Sequence, residues 1–186
     1  AAVIGHPIGH TMSPFIHRRL FELGGIPFAY QVLDVPDQAA ALPVLRQLDC
    51  FNVTLPHKSA ILPFLDEVEE KARRFGSVNT VQVKDGKLTG YTTDGPGCRK
   101  ALENHGVPLS GEVLLLGNGG AARAIAFEAA QQRAGSQLTV ACREGSLPKA
   151  QALVEDLARY AADLGDNHFA ARVVTYAQLE QEQRRY

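Results

Sequence analysis

Cys50-Phe51-Asn52-Val53-Thr54-Leu55-Pro56-His57-Lys58 is the stretch on which the reading of the fold rests. Cys50, Phe51 and Val53 form an apolar run with buried-strand character, and Pro56 cannot prolong a central strand because it has no amide to donate to a ladder. The strand is therefore expected to end near Thr54. A hydroxyl and a cation, Thr54 and Lys58, then emerge together at its carboxyl edge, which in open α/β sheets is where ligands bind.

Working upstream, strand and helix signals alternate. Residues 1–4 read as a buried strand, and because the chain opens inside that pattern a few residues are expected to precede Ala1. Ser13 offers an N-cap with Pro14 behind it at the first helical position, and Phe15, Ile16, Leu20 and Leu23 make an apolar stripe ended by Gly24-Gly25. Residues 28–35 read as a second strand, 37–48 as a helix with Leu42, Leu45 and Leu48 on one face, and 50–54 as a third strand. This βαβαβ order favours a parallel sheet.

Downstream, residues 66–75 read as a charged helix closed by Gly76, and the strand-like runs 78–83 and 87–92 flank Asp85-Gly86, a pair suited to a type I′ hairpin turn. Asp94 stands where a helix begins, with Pro96 in its first turn and Gly106-Val107-Pro108 beyond its end. The domain boundary is placed there, giving units 1–106 and 107–186.

The second unit restarts the alternation. A strand at 113–116 leads into Gly117-Asn118-Gly119-Gly120-Ala121-Ala122-Arg123, followed by a helix to about Arg133, a strand at 138–142, a helix from about 148 to 164, a strand at 171–174 and a polar tail ending at Tyr186. A glycine loop between a strand and a helix is the setting of a dinucleotide-binding turn: Gly117 permits the turn, Gly119 lets backbone approach a pyrophosphate, and Ala122 keeps the third position small. Gly120 and Ala121 add free amides at the helix start, where an anion is favoured, and Asn118 adds a polar side chain beside the phosphates. At the end of the next strand, Val140-Ala141-Cys142-Arg143 carries no acid for a ribose hydroxyl; Arg143 can pair with a 2′-phosphate instead, or be a surface arginine. The expected cofactor is NADP, with NAD left open. Three strands are fewer than a doubly wound domain normally has, so this unit is expected to be a partial Rossmann-like domain, the chain being a fragment or lacking segments.

Composition narrows the function. With 186 residues, 45% apolar content and a net charge of −1 from 19 basic and 20 acidic side chains, the chain can bury a core and carries no basic block for nucleic acid or an anionic membrane. No run approaches the roughly 20 apolar residues that span a bilayer. The three cysteines, Cys50, Cys98 and Cys142, form no CxxC pair; Cys50 and Cys142 lie in strand-like runs and read as buried free thiols. With no secretory pattern at the N-terminus, the cytoplasm is the expected compartment. His6, His10, His17, His57, His105 and His168 show no metal-ligand spacing, so no metal is expected. A small-molecule substrate is the expected partner, for a monomer or a homodimer.

Gly9-His10-Thr11-Met12-Ser13-Pro14, the Asn52 to Lys58 heptapeptide, Ser77-Val78-Asn79-Thr80, Thr92-Thr93-Asp94-Gly95 and the glycine loop occur in an order and spacing that resembles the shikimate dehydrogenase family. That family's patterns run P-I-x-H-S-x-S-P, N-V-T-x-P-x-K, V-N-T, N-T-D-G and G-A-G-G-A-x-R, and the resemblance covers nearly the whole chain. It implies an N-terminal α/β substrate domain, a Rossmann-like NADP domain and a site in the cleft between them. The implied reaction is the reversible, NADPH-dependent reduction of 3-dehydroshikimate to shikimate, in aromatic amino acid biosynthesis. Lys58 and Asp94 match the lysine and aspartate that face each other across the substrate and handle the proton on the reacting oxygen; Asp94 is also read as a helix N-cap. Thr11, Ser13, Thr54, Asn79 and Thr80 match the substrate-binding positions, the first two toward the carboxylate and Asn79 and Thr54 toward ring hydroxyls. Thr11 departs from the family's usual serine, leaving shikimate against quinate open; Asn118 replaces an alanine, and Cys142 and Glu144 flank Arg143 where the family has N-R-T. His57 occupies the variable slot and receives no role. A quinate/shikimate dehydrogenase using NAD and a catalytically idle ring-binding protein are the alternatives.

Overall fold

The computed structural model describes residues 1–132, 135–165 and 168–182 and divides into two compact units, Ala1–Thr93 and Asp94–Tyr186. In the first unit the elements run β1 (Ala2–Gly5), α1 (Ser13–Gly24), β2 (Gln31–Asp34), α2 (Gln38–Leu45), β3 (Cys50–Val53), α3 (His57–Ala60), β4 (Glu67–Val68), α4 (Glu70–Phe75), β5 (Thr80–Lys84) and β6 (Lys87–Tyr91). They build a six-stranded sheet in the order β2-β1-β3-β5-β6-β4. β1 runs parallel to β2 and β3, as the βαβαβ reading expects, whereas β5 turns antiparallel to β3 and β6 antiparallel to β5. The β5–β6 hairpin turns through Asp85 at φ 52° and Gly86 at φ 74°, the pair of positive angles that a type I′ turn requires.

A single core fills this unit. Ile4 of β1, Leu45 of α2, Phe51 and Val53 of β3, and Val81 and Leu88 of the hairpin are buried together with Ile61 and Ala72. Burying one side chain of this kind is worth about 1.5–3 kcal/mol, so the cluster is what holds β3 and the segment after it in place.

Several local expectations give way to the structure. α1 is capped by Met12 and not by Ser13, which lies in the first turn; its amide donates to Thr11 Oγ1 at 3.2 Å. The Phe15, Ile16, Leu20 and Leu23 stripe is exposed, Phe15 and Leu23 each at 68%. α1 instead meets the unit through rings, His17 stacking on Tyr30 at 4.2 Å and Phe21 contacting Phe28 at 5.2 Å. An apolar stripe tells which face of a helix is greasy, not what covers it. The charged helix expected over 66–75 is split: residues Glu67–Val68 pair with β6 as β4, and α4 begins at Glu70 and stops at the left-handed Gly76. Cys50 is only half-buried, while Cys142 is buried as expected.

The second unit runs α5 (Asp94–Asn104), β7 (Gly111–Leu116), α6 (Gly120–Ala130), β8 (Ser136–Cys142), α7 (Leu147–Asp163), β9 (Ala170–Thr175) and α8 (Tyr176–Gln181). Its three strands pair in parallel in the order β7-β8-β9. β8, the middle one, is buried almost throughout, as a parallel strand covered on both faces must be. α7 buries Ala150, Leu153, Leu157 and Ala161, one stripe at helical spacing.

The units divide between Thr93 and Asp94, not near residue 106. α5 belongs with the second unit because it packs on α6. A Cβ at Gly95 would lie 2.5 Å from the Ala124 carbonyl oxygen, so only glycine allows the approach, and Arg99 Nε donates to the buried carboxylate of Glu128 at 2.9 Å. Gly-Val-Pro punctuation marks the end of a helix, whereas a domain boundary follows the packing partner of that helix. The expected helix end at Arg133 and the tail at Tyr186 lie outside the described residues; α8, with a capping box between Thr175 and Gln178, begins where the sequence suggests only a polar tail. Among the described residues no helix is long and apolar enough to cross a membrane.

Candidate active site

Strand direction decides which side chains meet in the first unit. β1 and β3 are parallel, so the segments after Gly5 and after Val53 leave from the same edge; β5 opposes β3 with Asn52 facing Thr80, so β5 starts at that edge, and β6, with Tyr91 opposite Thr80, ends there. The loop leading to Thr11 and Ser13, the turn holding Thr54 and Lys58, the pair Asn79 and Thr80, and Thr93 are thereby collected along one sheet edge.

The turn after β3 is held from several sides. The Thr54 amide donates to the Ile4 carbonyl at 2.9 Å, the His57 amide to the Thr54 carbonyl at 2.9 Å, and the Val78 amide to the Lys58 carbonyl at 2.8 Å. The Leu55–Pro56 peptide is cis. Lys58 thus stands in the first turn of a short helix that is stitched to the segment leading into β5.

The hydroxyls and amides of the edge are linked to one another. Thr11 Oγ1 donates to Ser13 Oγ at 3.1 Å. The Asn79 carboxamide donates to Thr93 Oγ1 and accepts from the Thr93 amide, both at 2.9 Å, and Thr80 Oγ1 donates to Asn79 Oδ1 at 3.3 Å. Behind them Tyr30 Oη donates to Asn52 Oδ1 at 2.5 Å, and Asn52 Nδ2 donates to the Asn79 carbonyl and to Thr80 Oγ1 at 3.3 Å. Burial, followed by the nearby charge of an ionised Cys50, pushes the Tyr30 phenol up to about 12, against the opposing effect of its hydrogen bond to Ser13.

The sequence reading does not single out Tyr30, Asn52 or Thr93. Asn52 and Thr93 stand inside the quoted blocks, so the blocks themselves are the signal that points to them. Tyr30 has no local signal, since its partner lies 22 residues away.

In the second unit β7, β8 and β9 end in register, Leu116 opposite Ala141 and Ala141 opposite Val174, which brings the glycine loop and Arg143 to one carboxyl edge. Gly117 takes φ 98° and its amide donates to the Ala141 carbonyl at 2.7 Å. Gly119 caps α6 in extended conformation, with no side chain capping the helix, and Gly120 is its first residue. Neither the dihedral of Gly119, φ −76°, nor its neighbours demand glycine, since a Cβ there would meet nothing within 4 Å. An empty space at the mouth of a helix N-terminus suits a phosphate group, so these residues fit a dinucleotide. Asn118 is turned otherwise than expected: Nδ2 donates to the Ser146 carbonyl at 3.1 Å and fastens the loop to the segment after β8. Arg143 is exposed directly after β8. Asp94 is the first residue of α5 and not a residue preceding it. Among the described residues no group of three or more His, Cys, Asp or Glu side chains could hold a metal.

The model of the shikimate dehydrogenase substrate-binding domain matches residues 3–81. A shikimate dehydrogenase (NADP(+)) of Methanococcus maripaludis is 39% identical over 160 residues, covering 83% of this chain and 56% of that protein. One from Staphylococcus aureus is 44% identical over 135 residues, covering 70% and 50%. The chain thus spans about half the length of these relatives. The crystal structure of shikimate 5-dehydrogenase from Thermus thermophilus in complex with shikimate superposes with a TM-score of 0.78 at 35% identity, covering 95% of this chain and 68% of that one. Motifs, strand directions and these similarities agree, and the chain belongs to the shikimate dehydrogenase family.

Proposed function

We propose that the chain carries the substrate domain and the start of the cofactor domain of an NADP-dependent shikimate dehydrogenase, which reduces 3-dehydroshikimate to shikimate for aromatic amino acid synthesis. The observation that carries the reading is the collection of Thr11, Ser13, Thr54, Lys58 and Asn79 along one sheet edge by the directions of β1, β3 and β5. A polyhydroxylated ring with a carboxylate needs many neutral donors and acceptors, and this edge supplies them. Thr11 and Ser13 are proposed to bind the carboxylate, and Thr54 and Asn79 the ring hydroxyls. Thr80, whose proton is given to Asn79 Oδ1, is proposed to act by orienting that carboxamide.

Bound NADPH would supply hydride to the ring carbonyl carbon. As the carbon is reduced its oxygen gains electron density and needs a proton; the Lys58 ammonium is proposed to donate it, with Asp94 as the acidic member of the catalytic pair. On the cofactor side, Gly117, Gly119, Gly120, Ala121 and Ala122 are proposed to cradle the pyrophosphate with backbone amides. Asn118 keeps that loop fastened to Ser146, and Arg143 is proposed to pair with the 2′-phosphate. Three free thiols, Cys50, Cys98 and Cys142, accord with a reducing compartment, so the cytoplasm is part of the proposal.

The test is the absorbance of NADPH on addition of 3-dehydroshikimate to the whole protein. Oxidation of NADPH that is slowed at least about 10²-fold in Lys58→Ala supports the reading. Ring binding without turnover overturns it in favour of an idle binding protein, and turnover of quinate with NAD in preference to shikimate overturns the substrate and cofactor assignment.

A further inference from the structure

His57, assigned no part in the chemistry, is held more firmly than any role in a variable slot would need. The residue is 5% exposed, with Nε2 2.7 Å from the Val35 carbonyl and Nδ1 2.5 Å from Gln38 Nε2. A carbonyl only accepts, so Nε2 carries the ring proton; Nδ1 is then an acceptor and the Gln38 amide donates to it. Both ring nitrogens are satisfied, and the tautomer and the rotation of the ring are fixed together. Val35 follows β2 and its own amide donates to the Gly5 carbonyl at 3.0 Å, so the ring is hung from the sheet itself. Gln38 is the first residue of α2, whose cap Asp37 accepts from the Ala39 and Ala40 amides. His57 is also the first residue of α3, and its carbonyl accepts from the Ile61 amide at 2.9 Å.

We propose that the Gln38–His57–Val35 arrangement is a positioning device for Lys58, fixing through the His57 ring the turn that the Val78 amide fixes at the Lys58 carbonyl. The inference rests on the reading of Lys58 as the proton donor. His57 touches no reacting atom in this account. It sets the direction in which the next residue leaves the turn, and a loosened turn leaves the ammonium misplaced relative to the ring oxygen, where small displacements are costly to rate.

Gln38→Leu removes the donor at similar size and leaves His57 and the core untouched; His57→Phe removes both bonds at once. We expect kcat for ketone reduction to fall about tenfold in Gln38→Leu and further in His57→Phe, with KM for 3-dehydroshikimate within about twofold, because the groups that bind the ring are unchanged. In His57→Gln, where one amide nitrogen can still donate to Val35, part of kcat returns. In a Lys58→Ala background Gln38→Leu adds no further loss. A kcat in Gln38→Leu within about twofold of the parent, or an equal loss with and without Lys58, overturns the proposal.

A second readout needs no turnover. Hydrogen exchange at the Val78 amide, the donor to the Lys58 carbonyl, is expected to quicken about tenfold in Gln38→Leu while the amides of the β5–β6 hairpin are unchanged. Unaltered exchange at Val78 sinks the positioning role even if the parent protein proves inactive. Quickened exchange in a protein that never oxidises NADPH keeps the anchor and removes the dehydrogenase reading instead.

Discussion

At the edge of the six-stranded sheet the side chains of the candidate site are tied to each other, Thr11 to Ser13, Asn79 to Thr93 and Thr80, and Tyr30 to Asn52. At the edge of the three-stranded sheet the glycine loop leaves open space at Gly117 and Gly119, and the side-chain ties described for it are Asn118 to the Ser146 carbonyl and Arg123 to Asp156. Two glycines make the contrast concrete. A Cβ on Gly5 would lie 2.7 Å from Thr54 Cγ2 and 2.9 Å from the Leu55 carbonyl oxygen, whereas one on Gly119 would touch nothing within 4 Å. One edge needs a small residue for its own packing; the other leaves open space that its own packing does not use, which accords with the proposed dinucleotide. The chemistry explains why. A ring with several hydroxyls is recognised by fixed directional groups, each held by a neighbour, while a pyrophosphate is recognised by backbone amides that require close approach and little else.

The largest effect is expected at the tied edge. Lys58→Ala should lower kcat for ketone reduction by about 10²–10⁴-fold, the usual worth of a positioned proton donor, while shikimate affinity measured by calorimetry changes far less. A variant that retains its rate would break the comparison at its centre, because a rigid edge would then be holding a residue with no part in the reaction.

The glycines come next. Gly5→Ala should destabilise the protein by about 1–3 kcal/mol in urea unfolding, since the new methyl meets backbone as well as a side chain. Gly119→Ala should leave stability within about 0.5 kcal/mol and raise KM for NADPH severalfold, because the methyl enters the open space proposed for the pyrophosphate. If Gly119→Ala destabilised and Gly5→Ala did not, the assignment of one glycine to packing and the other to ligand would be reversed. Arg143→Ala sharpens the same side: the preference for NADPH over NADH should drop about tenfold, roughly 1.4 kcal/mol, when the proposed charge-assisted hydrogen bond to the 2′-phosphate is removed at an exposed site.

How much of this could be read from residues alone follows the same division. The longer strands and helices, the parallel β1, β2 and β3, the type I′ turn and the glycine loop are all legible, because apolar periodicity and Gly, Pro and Asp punctuation are local signals, whereas the short α3, β4 and α8 are not. The boundary at Thr93, the exposed stripe of α1 and the split of residues 66–75 are not, because each depends on what a segment packs against. The same holds within the candidate site. Thr54, Lys58 and Asn79 stand in blocks that can be quoted, but the partners of their neighbours, Tyr30 for Asn52 and Gln38 for His57, lie 22 and 19 residues away and carry no mark of their own.

The smallest effect probes how tight the tied edge is. Tyr30 donates to Asn52, and burial first, then the Cys50 charge, raises its phenol from the ordinary value of 10.0 to about 12. A raised folded value means that the neutral form is favoured by folding, so the contribution is complete below the unfolded value near 10 and is lost as pH rises toward 12. Phenolate absorbance should therefore show one tyrosine titrating at about 12 that disappears in Tyr30→Phe, and unfolding free energies of parent and variant should converge between about pH 10 and 12 while their difference is constant between about pH 7 and 9. A Tyr30 that titrated near its ordinary value would mean water reaches Asn52 from behind. The edge would then be open at its back, and the distinction between the two would rest on the Thr11–Ser13 and Asn79–Thr93 bonds and on the glycine contrast.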